Sequence, residues 1–176
     1  MIVYFLRHAS AGQPKHGSAK DDKRALDEDG IAQCGYVGRA LAALEVQLDA
    51  VISSPLKRAT QTASLVANEM GHEGRILIEA ALRPEATFQE FRALLTRHAR
   101  QESIMVVGHN PNLSEFLGRL IAGGDGEAAV DLKKGAIAKV EVDHNSGVLY
   151  WCLTPKILRS YYESFASSAR PKTARK

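Results

Sequence analysis

The chain lacks most of the features that would set it apart from an ordinary globular protein. Only two of its 176 residues are cysteine, Cys34 and Cys152. They lie far apart and in no metal-like spacing, so neither a disulfide framework nor a cysteine-held metal is indicated, and two reduced thiols are expected. No apolar run approaches the roughly 18 residues of a membrane span. The N-terminal apolar stretch follows no basic segment and meets a charge at Arg7; this reads against a signal peptide, and the expected location is the cytoplasm. Aromatics make up only 6% of the chain, and no basic stripe interleaves with them, so no nucleic-acid surface is expected. The net charge of +3 gives little direction, because the last ten residues hold four of the 23 Lys and Arg and no acid. What remains carries 19 bases against 20 acids. There is no internal repeat, and no linker long enough to divide the chain. One domain over residues 1–166 is expected, followed by a basic, disordered tail over 167–176.

What is present is an alternation of strands and helices. Ile2 to Leu6 is a short apolar run rich in β-branched and aromatic residues, as in a fully buried strand. Leu26, Ile31, Val37, Leu41 and Leu44 recur at helical spacing, with Asp27 or Asp29 as cap. Asp49 to Ser54 reads as a second strand, and Pro55 to about Met70 as a helix capped by Ser54 and stopped by Gly71. Arg75 to Glu79 and Ser103 to Val107 are further strands. Helices come after them over Phe88–His98 and Leu113–Ile121, the second closed by Gly123-Gly124. Ala136–Val142 and Gly147–Leu153 form a hairpin, and a last helix over Lys156–Ala166 carries Tyr161, Tyr162 and Phe165 onto the body. This order predicts a three-layer α/β/α domain with a mostly parallel central sheet, helices on both faces and a C-terminal hairpin.

The chemistry sits at strand ends. Strand one ends in Arg7-His8, strand two runs into Ser53-Ser54-Pro55-Leu56-Lys57-Arg58, and strand four into Gly108-His109-Asn110-Pro111. In a parallel sheet these ends share one edge, where α/β proteins bind ligands. Two arginines and two histidines would meet there beside helix N-termini, which favour anions. Guanidinium forks match phosphate oxygens in pairs. A neutral imidazole can attack phosphorus, and a second can donate a hydrogen bond to the group in transit.

Four stretches carry a family likeness: LRHAS at 6–10, SSPLKRATQTA at 53–63, VVGHNP at 106–111, and Asp21-x-x-Arg24-x-Leu26-x-x-x-Gly30. By these the chain resembles the histidine phosphatase superfamily, also called phosphoglycerate-mutase-like. Its VGHNP form and the late Thr154-Pro155-Lys156 are similar to the small SixA-type phosphohistidine phosphatases. The resemblance implies that His8 is the nucleophile and carries the phosphoryl group covalently, with Arg7, Arg58 and His109 completing the phosphate pocket. It also implies a tautomer of His8 fixed by a backbone carbonyl, and no metal or other cofactor, since the cations supply the positive charge. Arg24 is a candidate substrate contact at the pocket rim.

The first motif has Ala9 where much of the superfamily has glycine, a change between small residues. The usual carboxylic general acid after the third strand is not evident; Glu85 is the best-placed candidate and Glu90 the next. A phosphohistidine needs less help from an acid, because solvent can protonate the nitrogen of its P–N bond. The expected substrate is therefore phosphohistidine on a protein, acted on by a monomer with no nucleic-acid or membrane partner. Two alternatives stay open: a phosphomonoesterase for small phosphate esters, and a phospho-recognition module without turnover. His16, His72, His98 and His144 fall in loops or at helix ends and are expected to be solvated. Tyr150 and Trp151 are expected to pack.

Overall fold

The computed structural model describes residues 1–13, 21–123, 126–144 and 146–168. The tail beyond 168 lies outside these, as do Pro14, His16 and Gly17 of the first loop and Gly124. Six strands form one sheet: β1 (Ile2–Arg7), β2 (Ala50–Ser53), β3 (Ile76–Ile78), β4 (Ser103–Gly108), β5 (Ile137–Asp143) and β6 (Ser146–Leu153). Their spatial order is β3-β2-β4-β1-β5-β6. The first four are mutually parallel, while β5 runs antiparallel to β1 and β6 antiparallel to β5. The expected hairpin is thus not an appendage but the far edge of the same sheet.

Five helices lie wholly within the described residues: α1 (Glu28–Ala43), α2 (Lys57–Glu69), α3 (Phe88–Arg97), α4 (Asn112–Ala122) and α5 (Pro155–Ser168). Because β1 is covered on both sides, its alternate residues feed two separate cores. Val3 and Phe5 join Phe91 and Leu94 of α3 and Phe116 and Leu117 of α4 on one face. Tyr4 and Leu6 join Val37 and Leu41 of α1, Ala63 and Val66 of α2 and Leu158 of α5 on the other. The tilted Phe5–Phe91 pair at 5.6 Å and the stacked Phe91–Phe116 pair at 4.9 Å tie three elements of the first core together. On the second face Tyr4 meets Trp151 at 5.9 Å, the packing role expected of that tryptophan. Tyr36 of α1 stacks on Tyr162 of α5 at 6.0 Å, and Arg39 lies 5.3 Å from both rings. The last helix therefore docks through Tyr162, whereas Tyr161 is exposed.

Helix termini obey local chemistry. Asp27 caps α1, its carboxylate accepting the Gly30 N–H at 2.8 Å. Thr87 and Glu90 form a reciprocal capping box on α3. Gly123, with φ of +69°, ends α4. The start of α2 differs from expectation. The helix begins at Lys57 with Leu56 as its N-cap residue and no side-chain cap, so Pro55 precedes it and Ser54 does not cap it. The Ser54 hydroxyl is engaged elsewhere, in the site.

Candidate active site

The strands β1 and β4 are neighbours, with Arg7 paired to Gly108. From β1 the chain leaves toward α1, which packs on one face; from β4 it leaves toward α4, which packs on the other. A crevice opens where neighbouring strands part in this way, and His8 and His109 are the first residues beyond the paired ends. Their rings lie 5.0 Å apart, centroid to centroid. Arg58 enters from the first turn of α2, just past β2 on the other flank of β4.

His8 is held by its own backbone. Its N–H donates to the Gly108 carbonyl at 3.0 Å, and its carbonyl accepts the Gly135 N–H at 3.2 Å. Its Nδ1 stands 2.8 Å from the Ala9 carbonyl. A carbonyl can only accept, so Nδ1 carries the proton and Nε2 keeps its lone pair. Burial pushes the imidazole down to about 3, assisted by the fields of Arg58, Arg7 and Arg24 and opposed by the Ala9 carbonyl. His109, only 3% exposed, is likewise held below its usual range, first by burial and then by His8, Arg58 and Arg83. Both rings are neutral at pH 7.

This neutrality has a thermodynamic signature. Below about pH 6.5 the unfolded chain binds protons that the two native imidazoles refuse, so falling pH favours unfolding. Each histidine should remove about 1.4 kcal/mol of stability per pH unit once well below that pH. For His8 the loss runs from about 6.5 down to about 3. Urea denaturation at pH 7, 6 and 5 reads this above the window in which carboxylates titrate. A flat profile would show that the native rings take up protons as readily as those of the unfolded chain.

The arginines are anchored at one end. Arg7 donates from Nη1 to the Leu132 carbonyl at 2.8 Å, and Arg58 donates from Nη1 to the Asp21 carboxylate at 3.1 Å and to the Asp21 carbonyl at 3.0 Å. The buried Nε of each, and buried Nδ1 of His109, have no hydrogen-bond partner among the described residues. Buried guanidinium donors without a partner are costly, and these two, with the unpartnered His109 nitrogen beside the neutral His8 ring, suit the acceptor oxygens of a tetrahedral anion.

Carboxylates border this cluster: Asp21, Asp22 and Glu85 are tied to arginines, and Asp131, whose charge acts on Arg7, to Lys133. Asp21 also takes Arg24 Nε at 2.7 Å. Arg24 reaches the carbonyls of Ala11 and Gly12 with Nη1, at 2.5 Å and 3.1 Å, so this guanidinium is committed to the loop after β1. Glu85 is exposed and accepts from Arg83 Nε at 2.5 Å, while Arg83 Nη2 meets Asp22 at 3.2 Å. The Arg83 hydrogen bond holds the Glu85 carboxyl below its usual range, the opposite of what a proton donor needs. Glu90 is engaged at the N-terminus of α3, where its carboxylate accepts from the N–H and hydroxyl of Thr87 at 2.7 Å each.

Arg7, His8, Arg58 and His109 thus meet as their strand ends imply, and Arg24 joins through Asp21. Glu85 stands outside, linked only by way of Arg83 and Asp22. Three participants carry no signal in the reading of the motifs. The Ser54 hydroxyl lies 2.8 Å from His109 Nε2. Thr62 donates to the Arg58 carbonyl at 2.7 Å and accepts the Ala9 N–H at 3.1 Å, joining α2 to the loop after His8. Both lie within the SSPLKRATQTA block. Arg83 belongs to no motif, and its ion pair with Asp22 spans 61 residues.

A mostly parallel α/β sheet with imidazole and guanidinium groups at a strand-end crevice defines a class of oxyanion-handling proteins. Within it, residues 3–102 match the family model for histidine phosphatase superfamily (branch 1), and the chain belongs to that superfamily. Membership makes it a phosphatase by class. An uncharacterized protein of Picosynechococcus sp. is 30% identical over 168 residues, covering 90% of this chain and 99% of its own. The fold matches the protein histidine phosphatase SixA complexed with tungstate, with a TM-score of 0.80 and 24% identity over 90% of this chain and 99% of that one. It also matches a putative alpha-ribazole-5'-P phosphatase from Escherichia coli, with a TM-score of 0.70 and 19% identity over 88% and 96%. Among the described residues no helix is long and apolar enough to cross a membrane.

Proposed function

We propose that the protein is a phosphohistidine phosphatase that works through a covalent phospho-His8 intermediate and acts on phosphohistidine in a partner protein. The His8 Nε2 lone pair attacks phosphorus while the P–N bond to the substrate imidazole breaks. The departing ring nitrogen takes a proton from solvent. Water then attacks phospho-His8, releasing inorganic phosphate and restoring Nε2. Arg7 and Arg58 bind the phosphoryl oxygens, and His109 donates to the same group. The guanidinium groups stay charged throughout, so no proton needs to be returned to them. Arg24 acts as a positioning residue for Asp21 and the loop after β1, and through Asp21 for Arg58.

One observation carries the choice of substrate. The Glu85 carboxyl, in the loop after β3, is held below its usual range by its hydrogen bond from Arg83, while Asp21 and Asp22 are engaged by arginines and Asp131, whose charge acts on Arg7, by Lys133. An alkoxide leaving group needs a proton from a nearby acid; a departing imidazole has far less need of one. The tungstate held by SixA is a tetrahedral oxyanion of the kind this cluster suits.

Steady-state rates on a phosphohistidine-bearing protein and on a small phosphate ester test the assignment, in wild type and in Glu85→Gln. The expected result is a kcat/KM for the phosphoprotein at least about 100-fold above that for the ester, with Glu85→Gln within about threefold of wild type on both. Efficient ester turnover that drops about 100-fold or more in Glu85→Gln would make Glu85 a general acid and the protein a phosphomonoesterase.

A further inference from the structure

The contact between Ser54 and His109 has a direction that the distances alone do not give, but a count of protons does. His109 is buried and neutral, so one of its two ring nitrogens carries a proton and the other accepts. Nε2 lies 2.8 Å from Ser54 Oγ. The Leu56 N–H points to the same oxygen at 3.4 Å, so the hydroxyl already accepts on one side. Ser54 is fully buried, which makes an unused hydroxyl proton costly.

Two arrangements satisfy the distance. In one, Nε2–H donates to Oγ; the serine proton then has no acceptor among the described residues, and His109 Nδ1 becomes a bare acceptor among arginines. In the other, the serine hydroxyl donates to Nε2. Every proton at Ser54 is then used, and Nδ1–H remains as a donor with no partner among the described residues. Only the second leaves His109 able to donate to an anion.

We propose that Ser54 is a positioning residue that sets the tautomer of His109, keeping the ring proton on Nδ1 so that this nitrogen donates to the phosphoryl group. This inference rests on the phosphatase reading for its purpose, but not for its measurement.

The test is long-range ¹H–¹⁵N correlation NMR of the His109 ring at pH 7, on the full chain without substrate, in wild type, Ser54→Ala and Ser54→Thr. The expected wild-type pattern has Nδ1 protonated and Nε2 bare. Ser54→Thr keeps the hydroxyl and should keep that pattern, whereas Ser54→Ala should shift population to the Nε2–H form. On a phosphohistidine-bearing protein Ser54→Ala should lose about 10- to 100-fold in kcat, with KM changed far less. A wild-type ring protonated on Nε2 overturns the proposal even if Ser54→Ala does not fold, and so does a Ser54→Ala ring unchanged from wild type. The expected tautomers in a protein inert toward phosphohistidine would uphold this assignment and refute the substrate reading alone.

Discussion

His8→Ala is expected to lower turnover of a phosphohistidine protein by about 10⁴-fold or more. The argument is one of lost chemistry with little lost structure. The ring is held through its own backbone, and its Nδ1 contact is to the adjacent Ala9 carbonyl, so truncation breaks no long-range hydrogen bond and loses only the ring contact with His109. Arg7, Arg58 and His109 remain to bind the oxyanion and leave a small residual rate, as binding groups do when a nucleophile is removed. Incubation with a ³²P-phosphohistidine protein, quenched without acid, reads the step directly. Label should pass through wild type to free phosphate and remain on the substrate with the variant. Equal release by both would remove His8 from the chemistry. Unaltered binding by His8→Ala, together with no turnover by wild type, would favour a recognition module.

Gly30→Ala should be the most damaging single-methyl change near the site. Gly30 lies in the first turn of α1, where the chain leaving His8 crosses the helix. A Cβ there would stand 1.9 Å from the Ser10 carbonyl oxygen. That oxygen cannot retreat freely, because it accepts the Asp27 N–H at 3.2 Å while Ser10 Oγ donates to Asp27 at 2.9 Å and Ser10 N–H donates to Gln33 at 3.0 Å. Alanine gains up to about 1 kcal/mol over glycine in a helix, but forcing backbone apart costs about 3 kcal/mol, and the clash wins. The urea midpoint should fall accordingly, and activity with it, since Ser10 is two residues from His8. Gly12→Ala is the control, as a Cβ at that position meets nothing within 4 Å among the described residues. A Gly30→Ala protein as stable as that control would show that the loop after β1 is far softer than its hydrogen bonds suggest.

The fold was legible in the sequence because buried strands and amphipathic helices leave distinct periodicities. β1 and β4 end one residue later than their apolar runs, with Arg7 and Gly108 still in the ladder. The two arginines and two histidines were legible because parallel strands deliver the residues at their ends to a common edge. The start of α2 was not: Ser-Pro is a common cap sequence, but the helix begins two residues after Pro55 with Leu56 as its uncapped N-cap residue, and nothing in the local sequence shows that the Ser54 hydroxyl lies against His109, 55 residues away. The ties among Asp21, Asp22, Arg24, Arg58 and Arg83 were hidden for a similar reason. Loop carboxylates and arginines are usually solvated, and nothing in their spacing says which will meet. Glu85 was placed in the right loop, but its pairing with Arg83 is a side-chain event that position alone does not reveal.

The adjacency of β1 and β4 has a consequence in time as well as in space. His8 is made before its partner His109, which arrives 101 residues later, once α1 to α3 and β2 to β4 have been made. The slot for β4 lies between β1 and β2, so the sheet cannot close until that strand has been synthesised and inserted. A ribosome-bound chain ending before it therefore exposes an unsaturated gap between two apolar strands, and an imidazole with no pocket around it. Catalysis is withheld from every shorter nascent form. Non-local closure of this kind is the slow part of folding, so the appearance of activity should report completion of the sheet rather than its beginning.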